Sequence, residues 1–169
     1  MNTKTENPYL MKHTYYTFFF AMLICNACSV GVKKDLGTGL FHTVSGFSVD
    51  EVLLVGPDNQ TKSDNVVNFN STVAIVAQGL RGYELKEGKA FPGLMLQVTD
   101  GSGTAVINEA DLFANTEGYS PEDASIIRGT VTVGAPMKAG ETYHVKMRIW
   151  DKNKIETELT AEIDIKVKE

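Results

Sequence analysis

Two cysteines, Cys25 and Cys28, stand three positions apart, the spacing of a redox dithiol or of half a zinc site. No second pair exists to complete a zinc site, and the βαβ pattern that carries a thioredoxin-type dithiol is missing. The histidines are His13, His42 and His144, and none has a Ser or Cys at a recognisable nucleophile–base spacing. G-x-S-x-G, H-E-x-x-H, P-loop and G-x-G-x-x-G patterns are all absent. No catalytic residue is therefore assigned. An enzyme would need two carboxylates converging in a cleft, as in glycoside hydrolysis, and a small hydrolase ranks last among the functional readings.

Two other groups of residues carry potential chemistry. The stretch Asn108–Ser125 holds Glu109, Asp111, Glu117, Glu122 and Asp123 with no Lys or Arg before Arg128. Long loops between strands are uncommon and often functional, and Ca²⁺ takes six to eight oxygens. Asp111, Glu117, Glu122 and Asp123 are thus the candidate loop ligands, for a partner or for calcium. The competing reading is a solvated crossover pinned to the core by Leu112, Phe113 and Tyr119. The second group surrounds Trp150, the only tryptophan. An exposed indole stacks on a sugar ring, so Trp150 with Arg148 and Glu156 is the candidate ligand face. The alternatives are a covered edge or a packing contact with the long loop. No cofactor beyond that calcium is implied. Asn70-Ser71-Thr72 fits a glycosylation sequon.

These side chains must be positioned by strands. Residues Thr142–Asp151 place Tyr143, Val145, Met147 and Ile149 on one face, with His144, Lys146, Arg148 and Trp150 on the other. Residues Ile155–Val167 alternate in the same way. A three-residue turn at Lys152–Lys154 predicts Met147 opposite Leu159, Val145 opposite Ala161 and Tyr143 opposite Ile163, all inward. The same register sets Arg148 opposite Glu158, His144 opposite Glu162 and Trp150 opposite Glu156, all outward. A one-residue slip would bury the charges. Further strands are expected at 41–44, 49–55, 66–69, 72–78, 94–99, 104–107 and 125–133. Turn residues lie between them, Gly56-Pro57-Asp58-Asn59 and Asp100-Gly101-Ser102-Gly103 among them. Ser120-Pro121-Glu122-Asp123 is a helix start, good for a single turn inside a loop.

At the C-terminal end, Gly140, Tyr143, Val145, Met147, Ile149 and Asp151 resemble the closing hairpin of bacterial immunoglobulin-like domains of the PKD and cadherin-like kind. The resemblance implies a fold and no activity. The expected class is all-β: one immunoglobulin-like antiparallel β-sandwich of about seven to nine strands.

The front of the chain reads as an address. Tyr15–Ile24 is an apolar run of ten residues, too short for a spanning helix, which needs ~20. It fits the h-region of a secretory signal peptide, with Lys12 and His13 as the basic n-region. Ala27-Cys28 directly after it resembles the lipobox of bacterial lipoproteins, as found in Bacteroidota. The resemblance implies cleavage after Ala27 and a lipid on Cys28. An ordinary cleaved signal and an uncleaved, buried amphipathic segment are the alternatives, and Met11 is a second plausible start.

The expected organisation is a leader over 1–27, a flexible tether over 28–39 and a β-sandwich over 40–169. Three glycines and little periodicity in Ser29–Gly39 give the tether. Lys33-Lys34-Asp35 within it is read either as a solvated linker or as a short charged signal for surface routing. Loss of Lys4, Lys12 and Glu6 with the leader takes the formal net charge from −5 to −6. That acidity argues against nucleic acid, whose phosphates require clustered Lys and Arg, and it gives no electrostatic draw onto an acidic membrane. The body is expected to stand off, held by acyl chains at ~0.8 kcal/mol per buried methylene.

The leading expectation is a non-enzymatic protein, lipid-anchored to the bacterial cell envelope on either a periplasmic or a surface face. It would present its sandwich to a partner protein or glycan. The rivals are a carbohydrate-binding accessory of a polysaccharide-uptake system and a structural subunit of an envelope or adhesion assembly. Cys28→Ala in the full chain should abolish labelling by radioactive palmitate in bacterial cells and move the protein out of the membrane pellet. Undiminished labelling would move the lipid elsewhere.

Overall fold

A computed structural model describes residues 31–169; the leader, with Ala27 and Cys28, lies outside the described residues. The chain is an all-β antiparallel β-sandwich. Among the described residues ten strands run in the order β1 (Gly31–Lys34), β2 (Phe41–Ser45), β3 (Glu51–Val55), β4 (Val66–Asn68), β5 (Ser71–Gln78), β6 (Pro92–Thr99), β7 (Ala105–Glu109), β8 (Ile126–Val133), β9 (Thr142–Asp151) and β10 (Glu158–Lys168). The larger sheet has the order β1-β2-β10-β9-β6-β7, with short β4 lying parallel to the end of β10. The smaller is β3-β5-β8.

Alternation is the cause of this arrangement. On β8, β9 and β10 every second side chain is buried, and the residues between are half-buried or exposed. The inward set of the larger sheet includes Leu94, Leu96, Val98, Val145, Met147, Ile149, Leu159 and Ile165. It packs on Val52, Leu54, Val73, Ile75, Ile127 and Val131 of the smaller sheet. The sheets approach closely at Gly129, where a Cβ would come within 2.7 Å of Met147 Sδ. Strand β5 is buried on both faces over Val73–Ala77. Its outward Ala74 and Val76 pack with Val55 and Leu53 in a second, small cluster.

The β9–β10 register differs from the expected one by two residues. Trp150 pairs with Glu158, Ile149 with Leu159, Met147 with Ala161, Val145 with Ile163 and Tyr143 with Ile165. The turn is longer than three residues. Asp151 N–H donates to Thr157 O (3.0 Å), Thr157 N–H donates to Lys154 O (2.8 Å), and both Asp151 and Thr157 are buried. Because the shift is even, every side chain keeps its predicted face while its partner changes.

The segment read as a tether is ordered from Gly31 onward. Strand β1 pairs with β2, Gly31 opposite Val44 and Lys34 opposite Phe41. The connection is pinned by Asp35, whose Oδ1 accepts from Gly37 N–H (2.6 Å) and Thr38 N–H (2.9 Å). Those backbone donors, Thr38 first, hold the Asp35 carboxyl below its ordinary value. Gly39 turns the chain at φ +78°, a region that glycine enters without steric cost. Strand β1 is exposed at all four residues, so backbone pairing forms it and no buried stripe announces it.

Ile149→Ala should cost about 2–5 kcal/mol, whereas Thr160→Ala on the outer face should stay within about 0.5 kcal/mol. Urea unfolding of the two variants checks this, and the reverse ranking would mean that the faces are exchanged.

Candidate functional site

The outer face of the larger sheet carries aromatic and charged side chains in close array. Strand register arranges it in rows: Ser45, Glu158, Trp150 and Gly93 in one, Thr43, Thr160, Arg148 and Met95 in the next. The Trp150 indole rests over Gly93. A Cβ built there would sit 2.1 Å from Cε2, so only glycine leaves room for the ring. Arg148 lies over the same ring, its Cζ 5.0 Å from the centroid, in cation–π contact. Arg148 Nε donates to Glu158 Oε2 at 2.6 Å. The ring is therefore held between strand and guanidinium, half-buried rather than free.

Of the three residues expected to form a ligand face, Trp150 and Arg148 come together. Glu156 does not: it is exposed within the turn, and Glu158 takes its place. The longer turn causes this exchange. Gly93 was not anticipated, because a single strand gives no sign of what lies beside it in a sheet.

The same face continues as a ladder of cross-strand polar contacts. Lys146 Nζ lies 2.7 Å from Glu162 Oε1, and His144 Nδ1 lies 2.8 Å from Asp164 Oδ1. His144 Nε2 is 3.7 Å from Glu162 Oε2. His144 thus points outward as the sequence implies, although its cross-strand partner is Asp164 rather than Glu162. Exposed pairs of this kind are worth ~0–1 kcal/mol each; they describe a polar, charged face and do not explain the stability of the sheet.

The acidic loop is a structural strap. Asp111 Oδ1 accepts from Leu94 N–H (3.1 Å) and Phe113 N–H (2.9 Å), while Oδ2 lies 2.8 Å from Lys152 Nζ. Lys152 Nζ also donates to Phe113 O at 2.6 Å. Burial alone would raise the Asp111 pKa; Lys152 and the two backbone donors outweigh it and hold the carboxyl below its ordinary value. Asp123 accepts from the Ser120 hydroxyl (2.8 Å), and Ser120 Oγ accepts from Asp123 N–H (3.1 Å). These bonds close the chain at the entry to a single 3-10 turn at Asp123–Ser125, near the helix start expected from the sequence. Glu117 and Glu122 are exposed. Phe113 and Tyr119 meet edge to face with centroids 5.5 Å apart. Asp111, Glu117, Glu122 and Asp123 are not brought together, and among the described residues no group of three His, Cys, Asp or Glu side chains has metal-holding geometry.

A groove of about 280 Å³ beside β1 and β2 is lined by Lys33, His42, Val44, Phe47 and Val49. Burial, with Lys33 alongside, pushes the His42 imidazole below its ordinary value. At the opposite end, a cleft of about 440 Å³ is lined by Asp100, Ser102, Lys138, Glu141 and Tyr143. Asp100 is committed to its own turn, accepting from Ser102 N–H, Ser102 Oγ and Thr104 N–H.

No protein-family model matches the chain, and no curated protein matches it. Among solved structures it is similar to the crystal structure of the PmoD soluble domain from Methylocystis sp. ATCC 49242 (Rockwell). The identity is 10%, covering 84% of this chain and 98% of that chain, with a TM-score of 0.37.

Asp111 contributes stability that is fully present above its unfolded pKa near 4 and fades as pH falls through its lower folded value. Asp111→Asn should therefore be less stable than the wild type by about 1–3 kcal/mol at pH 7, with the gap closing below about pH 4. Thermal unfolding of both proteins across that range measures it; a gap that does not narrow in acid would separate the Asp111 charge from the strap.

Proposed function

We propose that this chain is a lipid-anchored, non-enzymatic protein of the bacterial cell envelope whose β-sandwich binds a partner protein or a glycan. In this reading the leader exports the chain, Cys28 carries the lipid, and the outer face of the larger sheet is the contact surface. The observation that supports it is the one-sidedness of β9 and β10. Their inward residues are buried without exception, and their outward residues, from His144 through Trp150 and from Glu158 through Lys168, are half-buried or exposed. A broad sheet with a charged, aromatic-bearing outer face suits recognition, with main-chain geometry fixed by the core behind it. The loop carboxylates of Asp111 and Asp123 already accept from Leu94 N–H, Phe113 N–H and the Ser120 hydroxyl.

The glycan version centres on Trp150, Arg148 and Glu158. An aromatic ring on Gly93 gives a flat surface, and a sugar docking there would take over the contact that Arg148 now makes. Trp150→Ala should abolish retardation of the full chain in affinity gels containing the recognised polysaccharide, while the unfolding midpoint moves by only a few degrees. Unchanged retardation would remove the glycan version and leave the protein-partner version. That version expects co-purification with neighbouring envelope proteins in mild detergent, and a solitary monomer would contradict it.

A further inference from the structure

The anchor and the sandwich are separated by far less chain than the sequence suggests. Pairing is already in place at Gly31, the first described residue, opposite Val44, so at most Ser29 and Val30 lie between Cys28 and the sheet. A chain spans at most ~3.5 Å per residue, which confines Cys28 to about 11 Å from Gly31. The headgroup layer of each leaflet is itself about 5–8 Å thick, and a lipid on Cys28 places that residue at its inner boundary. Little of the reach is left to hold the sandwich away from the bilayer.

Register identifies the end that is held down. Gly31 shares a row with Val44, Leu159 and Ile149, and the next row outward holds Ser45, Glu158, Trp150 and Gly93. Beyond that row lies the β9–β10 turn, 152–157. The segment around Glu84 is tied to the same turn, since Asp151 Oδ2 accepts from Glu84 N–H (2.6 Å) and Asn153 Nδ2 donates to Glu84 O (2.8 Å). This end presents two large apolar side chains to solvent, Ile155 at 60% exposure and Leu85 at 48%. The opposite end carries the Asp100–Thr104 turn and residues 134–141, beside Thr99, His144, Thr142 and Lys166. Its exposed residues there include Ser102, Lys138 and Glu141.

We infer that the sandwich is seated on the bilayer surface by the end that bears Ile155 and Leu85, with the 100–104 and 134–141 turns facing away. The inference rests on the lipid anchor at Cys28 and adds an orientation to it. Its occupant is the lipid headgroup layer, chosen by the two-residue link. Trp150 then sits in the membrane-proximal rows, and the ladder of polar contacts rises from it toward Asp164.

The test uses the full chain, processed in bacterial cells and reconstituted into vesicles of phosphatidylethanolamine and phosphatidylglycerol. Ile155→Cys and Lys138→Cys are compared after labelling with an environment-sensitive nitrobenzoxadiazole probe; both side chains are exposed, so neither change burdens the fold. A nitroxide-bearing lipid should quench the label at 155 severalfold more than the label at 138, and aqueous iodide should show the reverse order. Equal quenching at the two sites, or stronger lipid quenching at 138, would overturn the orientation. Mass spectrometry of the same sample reads Cys28. An unmodified Cys28, with a chain that does not float with the vesicles, would overturn the anchor and the orientation together. A lipidated Cys28 with equal quenching would overturn the orientation alone.

Discussion

The pairing of β9 with β10 is the constraint on which the rest of the structure depends. Ile149 against Leu159, Met147 against Ala161 and Val145 against Ile163 form the inward face of two long central strands, and all six are essentially inaccessible to water. That buried face sets the parity of the larger sheet. Trp150, Arg148, Lys146 and His144 are outward because the residues between them cannot be. A slip by one would exchange Met147 for Arg148 in the core, and no surface ion pair is strong enough to offset that. Gly93 then matters because register brings it beside Trp150, and Glu158 because the turn is two residues longer than its sequence suggests.

Much of this was legible from the sequence, for an identifiable reason. Period-2 alternation reports a strand with one buried face and is clearest in β9 and β10; together with the turn residues between apolar runs, it places every strand from β2 to β10 to within a few residues. It failed for β1, whose four residues have no buried face at all. A strand held only by backbone bonds leaves no pattern, so Gly31–Lys34 looks like linker. Register was half legible. Alternation fixes whether the shift between strands is odd or even, but the number of residues in the turn fixes the pairs. Nothing in Lys152–Glu156 announces that Thr157 folds inward to accept from Asp151 N–H.

The candidate site residues show the same division. Trp150 and Arg148 share a strand and a face, so their proximity follows from spacing alone. Glu158 and Gly93 come from neighbouring strands and were accessible only through the register. The acidic loop illustrates a different limit. Composition showed a run of carboxylates, but composition cannot distinguish a cation site from side chains that satisfy backbone donors. Asp111 does the latter, closing the loop onto β6 and onto Lys152.

The ordered β1 also changes the physical picture of the proposed anchor. A ten-residue coil would decouple body from bilayer; in the proposed anchoring only Ser29 and Val30 would separate Cys28 from β1, and the sheet would transmit that restraint to every row. Since both the contact face and the orientation are read from the β9–β10 register, the most direct test is a nuclear Overhauser map of the backbone of these two strands. Cross-strand contacts joining Ile149 to Leu159, Met147 to Ala161 and Val145 to Ile163 are the predicted result. Contacts joining Met147 to Leu159 or to Thr160 would contradict it, the first moving Glu158 away from Trp150 and the second turning the outer face inward.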